Sequence, residues 1–257
     1  MKRVFRFFEQ NQNFLIGFIS VSIALFIWEL LPSKGIIDPF FSSSPSRILS
    51  TGLEMFANGF WHDIQVSFLE FFWGMLIAAF VGIGVGLLIG WYKTLHAIIE
   101  PFLTMLNAAP RVALIPLLIL WLGIGLQSKI AAVVLGAFFP LAISVMKSVR
   151  TLDDTLLQCA RSFGANDAQV FRTLILPNSV PFIMAGLHIA IGRGLVGVVI
   201  GELLASRAGV GHVMAIASST FQTDKLYVAL IVLTSFGYGL TKLVEVIESH
   251  FNSWRSQ

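Results

Sequence analysis

Residues 66–91 have the sequence VSFLEFFWGMLIAAFVGIGVGLLIGW, in which Glu70 is the one ionisable side chain. A helix of about 20 apolar residues is long enough to cross the hydrocarbon core of a bilayer. Inside a bilayer the backbone must satisfy its own hydrogen bonds, and a helix does so within one segment. The stretch therefore predicts a membrane-spanning α-helix, and it decides the fold class.

The whole chain has the composition of a membrane protein. Of its 257 residues, 56% are hydrophobic and 12% are charged, whereas soluble domains carry roughly 45–50% apolar and about 25% charged residues. The net charge of +3 is small and does not indicate a nucleic-acid partner. Cys159 is the sole cysteine, which excludes an intrachain disulfide, and the histidines lack ligand spacing. We therefore expect no metal and no cofactor.

Further apolar blocks predict an all-α polytopic protein with about six transmembrane helices. Lys2, Arg3 and Arg6 precede the first block, and no small-residue cleavage site follows it, so we interpret it as an uncleaved span. An amphipathic helix at 48–61 is expected at the outer membrane interface. Residues 1–65 are expected to form an N-terminal region, and residues 66–257 a core with five spans. The predicted spans are 14–31, 66–91, 105–122, 129–146, 182–204 and 227–247.

The distribution of Lys and Arg predicts the orientation, because cytoplasmic loops are enriched in both. The larger group of basic residues, which includes Arg111 and Arg150, falls on the side of the two termini. The smaller group, which includes Lys129, falls on the other side. We therefore expect both termini in the cytoplasm, together with the polar segment 148–181.

The segment 148–181 predicts a short helix that ends at a glycine. Asp153 or Asp154 can cap its start, and Gly164 is suited to the position just after its end. An exposed apolar surface in the cytoplasm usually marks an interaction surface; the alternative is that the helix folds back on the inner ends of the spans. The apolar face of this short helix is expected to comprise Leu156, Leu157, Ala160 and Phe163.

A second short helix is predicted to follow. Asn166 and Gln169 have the spacing of a capping box, which opens a helix. Pro177 is expected to stop that helix, since proline lacks a backbone N–H.

These features resemble a known signature. Residues 157–165, LQCARSFGA, and 174–177, LILP, are similar to the E-A-A…G…I-x-L-P signature of ABC-importer permeases. Gln158 stands where the family usually has Glu, and Cys159 stands where it usually has Ala. Both residues are compatible with a helix, so these two differences affect only a salt bridge that the Glu would make. The resemblance extends over most of the chain, through residues 44–46, 100–102, 109–116, 201–203 and 209–211, and is closest to the nitrate, sulfonate, taurine and thiamine-precursor branch.

The resemblance implies a permease of the bacterial inner membrane that performs no chemistry and works as a homodimer. It further implies two cytoplasmic ATPase subunits, an extracytoplasmic solute-binding protein, and alternating access driven by ATP. The helix from Asp154 to Gly164 would be a coupling helix seated in a groove of the ATPase. The residues thereby expected in ATPase coupling are Asp154, Leu156, Leu157, Gln158, Ala160, Arg161, Phe163, Gly164, Ala165 and Pro177.

Three ionisable residues, His188, Arg193 and Glu202, lie in the predicted span 182–204. An ionisable side chain within a span costs roughly 2.5–3.5 kcal/mol, so these residues are candidates for the translocation pathway. The alternative is structural hydrogen bonding between helices. Glu70 is a potential partner for Arg193, or lies at the outer interface. If Arg193 faces the pathway, an anionic solute is favoured.

Two glycine patterns need separate interpretations. The spacing of Gly82, Gly86 and Gly90 predicts a smooth helix face for close packing. Residues 192–197, GRGLVG, match a dinucleotide fingerprint only formally, because no strand precedes them.

Two other classes of protein remain as alternatives. A self-sufficient secondary transporter or channel would be expected to show inverted repeats, which the sequence does not display. An intramembrane enzyme is disfavoured because no H-E-x-x-H motif and no carboxylate pair occur within a predicted span. The sequence also lacks the G-x-x-x-x-G-K-[ST] phosphate loop, so we expect ATP to bind to another subunit.

Overall fold

The computed structural model describes residues 2–35, 37–38 and 41–252, and side chains within residues 16–249 of that part. Every regular element in the described residues is a helix, which confirms the all-α prediction. The helices are α1 (Lys2–Ser33), α2 (Pro45–Ala57), α3 (Phe60–Trp91), α4 (Lys93–Ala108), α5 (Ile115–Leu122), α6 (Leu126–Arg150), α7 (Asp154–Ser162), α8 (Asp167–Val170), α9 (Leu176–Ala205), α10 (Val210–Ser219) and α11 (Thr223–Asn252).

Five stretches are long and apolar enough to cross a membrane. A sixth span exists if α4 and the segment Arg111–Leu122, which are bent by 90°, count as one. The predicted number of about six spans is therefore consistent with the structure. The five stretches are Ile16–Ser33, Phe60–Trp91, Leu126–Arg150, Asp167–Ala205 and Thr223–Ser249.

The prediction of a continuous span at 105–122 is wrong. The helix α4 ends at Ala108, and a 3₁₀ turn, Arg111–Leu114, leads into α5. Pro110 causes the break, because a proline disfavours helical backbone in the residue before it, and Ala109 is extended at φ −62° and ψ 144°. Arg111, assigned from the sequence to an inner loop, lies at this break.

The chain comprises two compact units, the first formed by the described residues of 1–61 and 213–231. Glu29 accepts hydrogen bonds from the Ser46 backbone N–H at 3.0 Å and the Ser46 hydroxyl at 2.6 Å, which ties α1 to the start of α2. Arg47 pairs with Asp224 at 2.7 Å and ties α2 to the start of α11. These polar contacts fix the connections between the ends of the three helices.

The amphipathic helix predicted at 48–61 is present as α2 but ends earlier. It stops at Ala57, and Gly59 has φ +93°, a backbone region that favours glycine. Trp61, the last residue of the predicted helix, belongs instead to the first turn of α3.

The second unit, from the described residues of 62–212 and 232–257, contains the candidate sites. Its helices α6 and α9 approach at backbone contact. A Cβ atom added at Gly136 would lie 2.5 Å from the Arg193 carbonyl oxygen, and one at Gly197 would lie 2.5 Å from the Ala132 carbonyl oxygen. Gly197 therefore allows α9 to pack closely against α6, which gives this glycine a structural role and agrees with our rejection of the dinucleotide fingerprint.

The glycine face predicted on α3 packs against α6. A Cβ atom at Gly86 would lie 2.6 Å from the Ala142 carbonyl oxygen, and one at Gly90 would lie 2.6 Å from the Val149 Cβ. The prediction of close helix packing through the G-x-x-x-G spacing is thus confirmed.

Candidate coupling segment and membrane cavity

The helix α7 begins with an aspartate cap, as predicted. The Thr155 backbone N–H donates to Asp153 Oδ1 at 2.8 Å, and this hydrogen bond lowers the pKa of the Asp153 carboxyl. The cap therefore contributes stability above the ordinary pKa of an aspartate, and that contribution is lost as the pH falls through the lowered pKa. Asp154 adds a second negative charge in the first turn, where the helix dipole favours it.

The helix α7 ends in a Schellman motif centred on Gly164. The Gly164 N–H donates to the Arg161 carbonyl at 2.9 Å, and the Ala165 N–H donates to the Ala160 carbonyl at 3.1 Å. Gly164 has φ +80°, where a residue with a Cβ is disfavoured by about 1–2 kcal/mol. A Cβ added here would meet nothing within 4 Å, so the backbone conformation, not space, requires glycine.

The apolar face predicted for α7 is divided in the structure. Leu157 and Ala160 pack against the core cluster that contains Leu141. Leu156 and Phe163 are instead 50% and 88% exposed. One half of the face therefore attaches the segment to the core, while the other half is exposed at the surface of the protein.

The capping box predicted at the start of α8 is present. The Gln169 N–H donates to Asn166 Oδ1 and the Asn166 N–H donates to Gln169 Oε1, both at 2.9 Å. The prediction that Pro177 stops this helix is wrong, because α8 continues through a π-helical turn, Phe171–Ile175, into α9. Pro177 lies in the first turn of α9. The π-helical turn before it is wider than an α-helical turn, so the backbone there does not need the i→i−4 hydrogen bond that proline, which lacks an N–H, cannot donate.

The polar candidates of the coupling segment lie around one cavity of about 530 Å³. Asp154, Gln158 and Arg161 line it. Ala165 packs against the same core cluster as Leu157. The structure thus brings the polar candidates together at one cavity, next to the residues that anchor the segment.

A separate cavity of about 460 Å³ lies between the break after α4 and the helices α6 and α9. Two of the three pathway candidates, Arg193 and His188, line it, and so does Arg111. Among the described residues, no Asp or Glu belongs to this lining. The apolar part of the lining consists of Val112, Ile115, Ala132, Leu135, Gly136, Ile189, Gly192, Val196 and Gly197.

Asn107 connects the two arginines of this cavity. Its Oδ1 accepts from Arg111 Nη2 at 2.8 Å and from Arg193 Nη1 at 3.0 Å. Arg111 also donates to the backbone carbonyls of Asn107 and Gly136, at 2.6 and 2.9 Å. Two positive charges that share one acceptor repel each other. The arrangement therefore keeps two like charges together against their repulsion.

Sequence reasoning missed Asn107 and Arg111 as members of this site. The distribution of basic residues assigns Arg111 to an inner loop, although this residue falls within the predicted span 105–122. An arginine directly after a proline inside an apolar stretch is a signal for a broken helix that lines a cavity, because irregular backbone at membrane depth occurs where it is buried in protein or faces water. Asn107 carries no comparable signal in the sequence.

The third pathway candidate, Glu202, lies elsewhere. It is fully buried, and its carboxylate accepts from the Ser67 hydroxyl at 2.5 Å and from the Gly211 N–H at 2.6 Å. The Val210 N–H in turn donates to Ser67 Oγ at 2.8 Å. Glu202 therefore fastens the chain that follows α9 to α3, and it does not line the cavity of Arg193.

Glu70 does not pair with Arg193. It is 1% exposed, and its Oε1 accepts from Lys129 Nζ at 2.8 Å. Lys129, assigned from the sequence to an outer loop, is itself buried in the first turn of α6 and donates to Ser206 Oγ at 2.6 Å. The pair joins α3, α6 and the end of α9.

Comparison with known proteins gives one consistent result. Residues 78–256 match the family model for the binding-protein-dependent transport system inner membrane component. The chain is 31% identical over 250 residues to the putative aliphatic sulfonates transport permease protein SsuC of Bacillus subtilis (strain 168), across 96% of this chain and 90% of that protein. It is 28% identical over 244 residues to the taurine transport system permease protein TauC of Escherichia coli (strain K12), across 93% and 89% of the two chains.

A solved structure supports the same fold. A chain from the inward facing conformations of the MetNI methionine ABC transporter aligns with a TM-score of 0.60 and 19% sequence identity. The alignment covers 77% of this chain and 97% of that chain.

Proposed function

Because the chain belongs to the family of binding-protein-dependent transport system inner membrane components, a family of multi-pass transport permeases and not of enzymes, we propose that it is the membrane subunit of an ATP-driven importer. In this proposal ATP binds to separate cytoplasmic ATPase subunits, two copies of the chain form the pathway, and an extracytoplasmic binding protein delivers the solute. Residues 66–257 form the permease core, and both termini lie in the cytoplasm.

The division of α7 into an anchored and an exposed half is the observation that carries this proposal. Leu157 and Ala160 fix the helix to the core, whereas Leu156 and Phe163 are exposed apolar side chains. Such a surface is costly in water and suits a groove on a partner. Together with the residues Asp154, Gln158, Arg161 and Gly164, it forms the proposed ATPase contact, while Ala165 belongs with the residues that anchor the segment to the core.

The rigid construction of the segment explains how a partner's movement reaches the membrane. The cap at Asp153, the Schellman motif at Gly164 and the capping box at Asn166 fix the backbone of the short helices. The π-helical turn then joins α8 to α9, so a displacement of α7 is passed to the helix that carries Arg193. Closure of the ATPase subunits would in this way alternate the access of the pathway.

The proposed substrate is a small anionic solute such as a sulfonate, taurine or nitrate, with a pyrimidine precursor as a less favoured candidate. Relatives are named for aliphatic sulfonates and for taurine. The cavity lined by Arg193 and His188 carries positive charge without a carboxylate in the described lining. Glu202 is assigned a structural role, since its carboxylate is fully used in fastening the chain after α9.

Purification of a tagged chain from its host tests the proposal. We expect an ATPase to co-elute with the chain, and to be lost when Leu156 and Phe163 are both replaced by serine. Leu53→Ser is the matched control, because Leu53 is 67% exposed in α2, outside the proposed contact. Solute flux by the purified chain alone, without an ATPase, would instead support a self-sufficient transporter or channel.

Labelling of Cys159 tests the proposed orientation. Cys159 is the sole cysteine and is exposed on α7. A membrane-impermeant maleimide should leave it unlabelled in intact cells and should label it in inverted vesicles, unless the ATPase covers it. A Lys34→Cys variant in a Cys159→Ser background should show the opposite pattern, because residue 34 lies beyond the outer end of α1. Labelling of Cys159 from outside intact cells would invert the topology.

A further inference from the structure

Two arginines share one neutral acceptor in the membrane cavity, and importer function alone does not explain this arrangement. Arg111 comes from the break after α4 and Arg193 from the middle of α9, yet both donate to Asn107 Oδ1. Neither guanidinium group has a carboxylate partner among the ion pairs of the described residues. Charges inside a membrane are ordinarily paired or mark a functional pathway.

The identity of the shared acceptor decides what the arrangement can do. An aspartate in place of Asn107 would accept the same two hydrogen bonds and would also cancel one of the positive charges. The asparagine satisfies the two N–H groups and leaves both charges in place. A neutral acceptor between two cations therefore preserves the attraction for an incoming anion.

We propose that Arg111, Arg193 and Asn107 form a binding site for the oxyanion group of the transported solute. Asn107 holds the two guanidinium groups close together until the oxygens of the anion bridge them. Guanidinium groups present their N–H donors as planar forks that match the oxygens of a sulfonate or carboxylate. The inference rests on the proposed function, to which it adds a defined binding site and the residues Arg111 and Asn107.

The surroundings of the arginines fit such a solute. Arg193 is an exposed residue on the cavity, so its charge is accessible. His188 lines the same cavity, and its Nε2 is buried without a hydrogen-bond partner in the described chain. The rest of the wall is apolar and includes Val112 and Leu135, which suits a short alkyl chain attached to the oxyanion.

Thermal unfolding of the purified complex tests the site without ATP or the binding protein, because a ligand that binds the folded state raises the unfolding midpoint. Ethanesulfonate is the anionic probe. Ethyl methyl sulfone is its neutral counterpart, and sodium chloride serves as the control for ionic strength. We expect the midpoint of the wild-type complex to rise with ethanesulfonate and not with the sulfone.

The decisive variant is Asn107→Asp. It should fold at least as well as the wild type, since a carboxylate pairs both arginines. It should nevertheless weaken ethanesulfonate binding by at least about tenfold, because the carboxylate cancels one of the two positive charges that attract the anion. Arg193→Gln should weaken it similarly, and Arg193→Lys should retain part of it because the charge is kept. Asn58→Asp, which adds the same charge at an exposed site in the other unit, should bind as the wild type does.

The outcomes separate this inference from the proposed function. Three results would each overturn the anion site. In the first, ethanesulfonate raises the unfolding midpoint of the wild type and of Asn107→Asp equally. In the second, the neutral sulfone raises the midpoint of the wild type as much as ethanesulfonate does, and in the third, ethanesulfonate does not change the wild-type midpoint. The importer function is tested independently by ATP-dependent uptake. It would stand if uptake occurred while the anion site failed.

Discussion

Replacing Gly164 with leucine should uncouple ATP hydrolysis from transport while the permease still inserts into the membrane. The Schellman motif at the end of α7 requires φ +80° at this residue. A side chain there costs about 1–2 kcal/mol, which shifts the balance between the native and an altered backbone by a factor of about 5–30. The exposed Phe163 immediately precedes Gly164, so the altered backbone also re-orients the proposed ATPase contact.

The number of solute molecules transported per ATP hydrolysed, measured in reconstituted vesicles, provides the test for Gly164. We expect this ratio to fall at least about fivefold for Gly164→Leu, given the strain involved. Gly164→Asn should retain more of it, since asparagine tolerates left-handed backbone better than leucine does. Gly35→Leu is the matched control, because Gly35 also has positive φ and open space around it but lies after α1. Wild-type coupling in Gly164→Leu would contradict the assignment of the coupling segment.

Lys129→Ala should strongly destabilise the folded chain. Glu70 and Lys129 are 1% and 7% exposed and are joined at 2.8 Å. Removal of the lysine leaves a buried carboxylate without its cation, which typically costs about 3–5 kcal/mol. It also removes the hydrogen bond from Lys129 to Ser206, and with it a contact between α6 and the end of α9.

A double variant distinguishes the loss of the pair from a general loss of packing. Glu70→Gln with Lys129→Met removes both charges and keeps approximate side-chain volume, so it should recover much of the stability that Lys129→Ala loses. The unfolding midpoint and the amount of folded protein in detergent measure both effects. If the double variant is no more stable than Lys129→Ala, the uncompensated charge of Glu70 is not the cause of the lost stability.

Much of the fold could be predicted because a bilayer imposes simple constraints on a sequence. A span needs a continuous apolar stretch, and five of the six predicted spans correspond to long apolar helices. Local backbone signals were equally informative. The aspartate cap at Asp153, the glycine after α7 and the capping box at Asn166 follow from short-range hydrogen bonding, which depends on neighbouring residues alone.

The features that could not be predicted depend on contacts between distant residues. The pairs Glu70–Lys129 and Ser67–Glu202 join residues far apart in sequence, and no local pattern identifies them. The π-helical turn before Pro177 also escaped prediction, because a proline in sequence alone indicates a helix end. The arginine pair required the 90° bend after α4, which brings Arg111 next to Asn107 and α9.

ATP-dependent accumulation of solute in vesicles tests the central claim most directly. The chain, its co-purified ATPase and the binding protein would be reconstituted, with ATP supplied on the side that carries Cys159 and a labelled sulfonate on the other side. We predict accumulation of the sulfonate that requires ATP and all three components, and that stops when ATP is replaced by a non-hydrolysable analogue. Accumulation by the chain alone, without ATP or the ATPase, would contradict the account.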